Sequence, residues 1–133
     1  MSRAALLARA RAAAEAGMVD SCTITRDVGT TTDRATGQVT PDTITLYSGR
    51  CRIQEMMAFS RDSSPTPSDP ALMRYRILQL PVVASQGLRQ GDKVRIDTCI
   101  SDPDLTDKVM VVRDPAAKSE ASARRVGVEE VTG

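Results

Sequence analysis

Val19-Asp20-Ser21-Cys22-Thr23-Ile24-Thr25-Arg26-Asp27 is the stretch on which the fold turns. Cys22 and Ile24 alternate with Ser21, Thr23 and Thr25, the period of two that marks a strand with one face buried. Just upstream the chain obeys a different rule. Half of its alanines fall between Ala4 and Ala16, interleaved with Leu6, Leu7, Arg9 and Arg11, a composition with high helix propensity. The change at Gly17 therefore predicts a helix within residues 1–18 and a β domain over residues 19–133. Ser2 is placed to cap the helix, Gly17 to end it in the left-handed conformation, and Arg11 to pair with Glu15 one turn on. At about 100° per residue, Leu6, Leu7, Ala10, Ala13, Ala14 and Gly17 share one face, with Arg9, Arg11 and Glu15 opposite. That narrow face either packs on its own domain or docks on another subunit, which makes Leu6, Leu7, Ala10 and Ala14 candidate partner-docking residues.

Residues 28–42, rich in Gly, Thr and Asp and centred on Asp33-Arg34-Ala35-Thr36-Gly37-Gln38, read as a hairpin connection. A second strand is expected over residues 43–54. Its apolar phase slips between Ile44/Leu46 and Tyr47/Gly49/Cys51/Ile53, the mark of a bulge or bend near residues 47–49. Strand character returns at residues 73–83, 93–100, 108–113 and 124–131, while residues 114–123 are turn-like with room for a short helical turn. Between the second and third strands, Pro65, Pro67 and Pro70 exclude regular pairing, so residues 55–72 form one long inter-strand loop. Six short strands without βαβ spacing predict a mainly β fold, a barrel or a sandwich. The expected bend favours a small antiparallel β-barrel with an N-terminal α-helix.

With 133 residues, the chain suits one domain. Eighteen Lys plus Arg against seventeen Asp plus Glu leave a net charge of +1, without the basic excess of a dedicated duplex DNA binder. Tyr47, Phe59 and Tyr75 are too few to build stacking platforms for single strands. Histidine is absent, which removes Ser-His and Cys-His nucleophile pairs and imidazole zinc sites. Cys22, Cys51 and Cys99 are odd in number and never form C-x-x-C; their β-branched neighbours mark them as buried apolar residues in a reducing compartment. The acidic run Asp102-Pro103-Asp104-Leu105-Thr106-Asp107 lacks the central glycine and closing glutamate of a calcium loop and reads as a turn. Neither phosphate-binding glycine motif occurs. No catalytic residue, metal or cofactor is expected, and no stretch is long and apolar enough to span a membrane. Arg74 and Arg76 flank Tyr75 on one expected strand, a possible contact for DNA backbone or for another subunit, with a solvated or salt-bridged face as the plainer alternative.

The order of features carries a family resemblance: the Arg/Ala helix, Cys22-Thr-Ile-Thr-Arg26, the turn at residues 32–38, Leu46-Tyr-Ser-Gly-Arg-Cys-Arg-Ile-Gln54, the long loop, Arg74-Tyr-Arg-Ile77, Leu88-Arg-Gln-Gly-Asp-Lys-Val94 and the closing Arg124-Arg-Val-Gly-Val-Glu-Glu130. Over residues 2–131 this resembles the head-to-tail connector proteins of tailed bacteriophages, of the head-completion or stopper type, as in phages of actinobacteria. The resemblance implies a virion protein, present in the host cytoplasm during assembly. It would form a twelve-fold or six-fold homo-oligomeric ring below the portal and adaptor, with the tail terminator or tail tube beneath and genomic DNA passing through. It also implies that the long loop projects into the channel or between subunits, with Glu55, Met56, Met57, Phe59, Arg61 and Asp62 as its site residues. The competing expectations are a monomeric SH3-like or OB-like barrel that binds nucleic acid or peptide, and a tail-terminator role in the same assembly.

Overall fold

In the computed structural model, which describes residues 2–55 and 75–131, six antiparallel strands close into a barrel in the order β1-β2-β3-β6-β5-β4. They are β1 (Asp20–Thr32), β2 (Val39–Glu55), β3 (Tyr75–Leu80), β4 (Lys93–Thr98), β5 (Val109–Asp114) and β6 (Arg124–Glu130), preceded by helix α1 (Arg3–Ala16). The expected mainly β fold with one N-terminal helix is the observed one. Closure follows from the alternation: Cys22 and Ile24 of β1, Val94 and Ile96 of β4, Met110 and Val112 of β5, and Val126 and Val128 of β6 are fully buried. Each such Ile, Val or Met side chain contributes about 1.5–3 kcal/mol on leaving water. Tyr47 is the one aromatic residue among the buried side chains described, so the interior is filled by branched aliphatics, methionine and cysteine, as the sparse aromatic content requires.

The first two strands depart most from expectation. Residues 28–42 are not a connection but strand on both sides, with only residues 33–38 turning between β1 and β2. Threonine is β-branched and suits a strand. Because Thr, Asp and Gly stand on both faces of this segment, however, there is no apolar alternation to reveal it. The bend foreseen in β2 is present as a bulge at Leu46: Ile24 pairs with Tyr47 and Thr25 with Thr45, leaving Leu46 unmatched. A second bulge leaves Val28 unmatched between the pairs Asp27/Thr43 and Gly29/Asp42. Further along the chain, β3 stops at Leu80, short of residue 83, because Pro81 has no N–H to continue the ladder. Residues 114–123 hold no helical turn; Ala116 and Glu120 take positive φ there.

Helix α1 also needs correction. Ser2 caps it by accepting the Ala5 N–H at 3.1 Å, as expected. Gly17 instead stays right-handed, at φ −84° and ψ −5°, because the helix tightens into its last turn through Gly17 N–H to Ala14 O and Met18 N–H to Glu15 O, both 3.1 Å. The side resting on the barrel matches the predicted Leu/Ala face only in part. Arg11, expected outward and paired with Glu15, is half-buried and donates from Nε to Ala121 O at 3.1 Å, while Arg3 reaches Glu120 at 2.7 Å. Leu7 and Ala14 are half-buried, but Leu6 and Ala10 remain exposed. The part-buried Arg11 bond together with half-buried Leu7 and Ala14 holds the helix, and the exposed Arg3–Glu120 pair adds little.

Candidate assembly surface

Asp33 and Gly37 create the most distinctive feature of the surface. Asp33 Oδ1 accepts the Ala35 N–H at 2.9 Å, Gly37 N–H bonds to Asp33 O at 2.7 Å, and Gly37 takes φ +72°, where a side chain would be strained. The Ala35 and Thr36 donors hold the Asp33 carboxyl below its usual range. This tight turn joins the distal halves of β1 and β2 into a two-stranded arm: Thr31 Oγ1 donates to Asp42 at 2.7 and 2.8 Å across it, and every residue from 27 to 45 is exposed. The seven residues 26–32 of β1 span about 23 Å at the rise of a strand.

The arm is fixed at its root. Arg26 forks onto Asp92 with Nε and a terminal nitrogen at 2.8 and 2.9 Å, and Lys93 meets Asp27 at 3.3 Å. Burial works to raise the Asp92 carboxyl, but the Arg26 guanidinium and the Arg89 N–H at 2.7 Å outweigh it and hold the group below the usual carboxylate range. Beyond this root the ribbon has open edges. β1 pairs with β4 only as far as Thr25, and β2 meets β3 only from Arg52 onward, so among the described residues nothing covers either outer edge of the arm. Residues 28–32, Val-Gly-Thr-Thr-Thr, carry no charge and no proline, the usual guards of a free edge.

The remaining candidates fall elsewhere. Glu55 ends β2 directly opposite Arg76 of β3; Met56, Met57, Phe59, Arg61, Asp62 and Arg74 lie outside the described residues. Arg76 is not a free cation: it meets Glu130 at 2.9 Å, and Lys108 meets the same carboxylate at 2.7 Å. These bonds, led by that from Lys108, hold Glu130 below its usual range. Arg95 pairs with Asp97 at 3.1 Å and Arg113 with Glu129 at 2.7 Å, so these cations too are neutralised within the chain. Leu6, Leu7 and Ala10 line a shallow depression of about 290 Å³ beside Arg3 and Glu120. Asp102 accepts the Asp104 N–H at 3.1 Å and starts a 3-10 turn, Pro103–Leu105. The three thiols are buried and unpaired as disulfides; a bond with Cys22 and burial push the Cys51 thiol far up, and burial raises Cys99. The arm was missed in the sequence because its threonines face solvent on both sides; the Asp33…Gly37 turn flanked by β-branched residues was the available signal.

No curated protein matches the chain. The solution structure of protein SF1141 from Shigella flexneri 2a is similar in fold, with a TM-score of 0.54 over 85% of this chain and 92% of that one, at 13% identity. A likeness at that identity speaks to architecture alone. A family model, described as a family of unknown function (DUF6093), matches residues 10–129, from the second half of α1 to the end of β6, and the chain belongs to that family.

Proposed function

We propose that this chain is a structural subunit of the head-to-tail connector of a tailed bacteriophage, assembling as a homo-oligomeric ring that lines or closes the DNA channel and offers the tail a docking surface. The observation that carries this reading is the arm. The barrel is closed and needs no further strand, yet the chain extends about 23 Å of exposed two-stranded ribbon from it. A two-stranded hairpin is marginal in water, and an unguarded edge invites another chain. Such an element is useful to a protein whose work is assembly. The internal pairing of Arg76, Arg95, Lys93 and Arg113 supports the same role, because a channel must let DNA pass and a strong, salt-sensitive grip on phosphate would oppose that. In this role the exposed Leu6 and Ala10 belong to contacts with the adaptor or a neighbouring subunit, and the loop of residues 55–72 to the channel or the subunit interface. The test is electron microscopy of particles from a culture of the phage that encodes the chain, with gold-labelled antibody against it. Label at the junction of head and tail is expected; purified infectious particles that lack the protein would overturn the assignment.

A further inference from the structure

Asp20 opens β1 and is 7% exposed, yet its Oδ1 has no hydrogen-bond partner among the described residues. A buried carboxylate oxygen without a donor bears its desolvation uncompensated, so a fold retains one where something else supplies the donor. Asp20 lines a cavity of about 420 Å³ at the end of the barrel, together with Gly17, Val19, Arg52, Cys99 and Asp102. Beside Asp20 the Cys99 thiol is pushed up, chiefly by burial and further by its hydrogen bond with the Asp20 carboxylate and that group's charge, so the thiol serves one side of the carboxyl and leaves Oδ1 unserved. Two cations touch the same cavity. Arg76 is already neutralised by Glu130, and Arg52 is exposed at the rim near Gly17 with no ion pair or hydrogen bond among the described residues. The floor of the cavity therefore presents an acceptor that lacks its donor.

The arm carries the complementary group. Arg34 stands at its tip within the Asp33–Gly37 turn, exposed and without an ion pair or hydrogen bond among the described residues. An arm of about 23 Å exceeds the radius of a compact domain of about 100 residues, about 17 Å from its radius of gyration, so a tip can reach well across one neighbour's face. We propose that the Asp20 cavity is a receptor for a guanidinium, and that in the ring it takes Arg34 from the arm of a second copy of this chain. The second half of this statement rests on the ring reading of function; the first half does not. Because one surface gives the arm and a different one receives it, the contact is head-to-tail, the type from which rings are built when the rotation between copies closes.

The experiment has two arms. In the first, the folded chain is titrated with N-acetyl-arginine amide and followed by amide shifts in the nuclear magnetic resonance spectrum. Saturable shifts at Val19, Asp20, Cys99 and Ser101 are expected, weakened by about tenfold or more in Asp20→Asn, and absent with the uncharged N-acetyl-norleucine amide. In the second, sedimentation compares wild type with Arg34→Ala, a change at an exposed tip that leaves the barrel intact; self-association should weaken by about tenfold, and the arginine amide should release the associated wild-type chain. That release needs no variant and stands even if Asp20→Asn does not fold. No binding of the arginine amide, or equal binding of the norleucine amide, overturns the receptor. Binding of the arginine amide with undiminished association of Arg34→Ala overturns Arg34 as its occupant. A chain that binds the arginine amide but never self-associates overturns the ring reading and leaves the receptor established.

Discussion

The phenol oxygen of Tyr47 lies 2.9 Å from the point where a β-carbon on Gly49 would stand, and Cζ of the same ring lies 3.2 Å from it. Tyr47 folds back over its own strand, donating its hydroxyl to Arg50 O at 2.6 Å, just where the Leu46 bulge turns β2 from barrel into arm. Burial pushes the phenol up to about 12. Gly49→Ala should therefore cost about 1–3 kcal/mol of overpacking, read by urea unfolding. In the Tyr47→Ala background the same change should cost far less, since the atom it strikes is gone.

Asp92 ties the arm's root to the β3–β4 connection through Arg26 and the Arg89 N–H. Asp92→Ala should destabilise the protein by about 2 kcal/mol, the usual loss for hydrogen bonds to a charged group, measured by thermal or urea unfolding.

Acid should weaken the fold for the same reason. Asp92 and Glu130 are both held below the carboxylate range, so the unfolded chain binds protons more readily than the folded one. Their contribution is complete above the unfolded value of about 4 and is lost as pH falls through their folded values. The melting temperature should drop below about pH 4, and Asp92→Asn should flatten that drop.

Glu55 and Arg76 are paired across β2 and β3, so the two ends of the long loop already stand a strand's spacing apart. Replacing residues 56–74 with a short hairpin turn should leave unfolding free energy within about 1 kcal/mol of wild type, because closure entropy grows only slowly with length. If the loop serves the ring, the same variant should fold normally and fail in DNA retention or tail joining. A large fall in melting temperature would instead place residues 56–74 in the barrel's core.

The barrel was legible because Cys22/Ile24, Val94/Ile96 and Val126/Val128 alternate with polar neighbours, and burial of one face leaves that period in the sequence. The arm was not, because Thr30, Thr31 and Thr32 meet solvent on either side and no burial imposes a period. The helix misled for a related reason: its apolar stripe is real but only partly buried, because the part-buried bond from Arg11 to Ala121 O turns the helix, and such a long-range polar contact leaves no local pattern. Asp20 was equally silent, since nothing in a linear sequence distinguishes a buried carboxylate at a strand's start from an ordinary capping residue.

The central claim is that the chain is built to associate through its arm, and sedimentation of the full chain beside a variant with residues 27–43 replaced by a short turn tests it most directly. Those residues are exposed and outside the core, so the variant should keep the wild-type melting profile and lose from its circular dichroism only the strand signal of the arm. The wild type should form closed oligomers as concentration rises while the shortened variant stays monomeric. Wild-type chain that remains monomeric throughout, or a shortened variant that associates equally well, would contradict it.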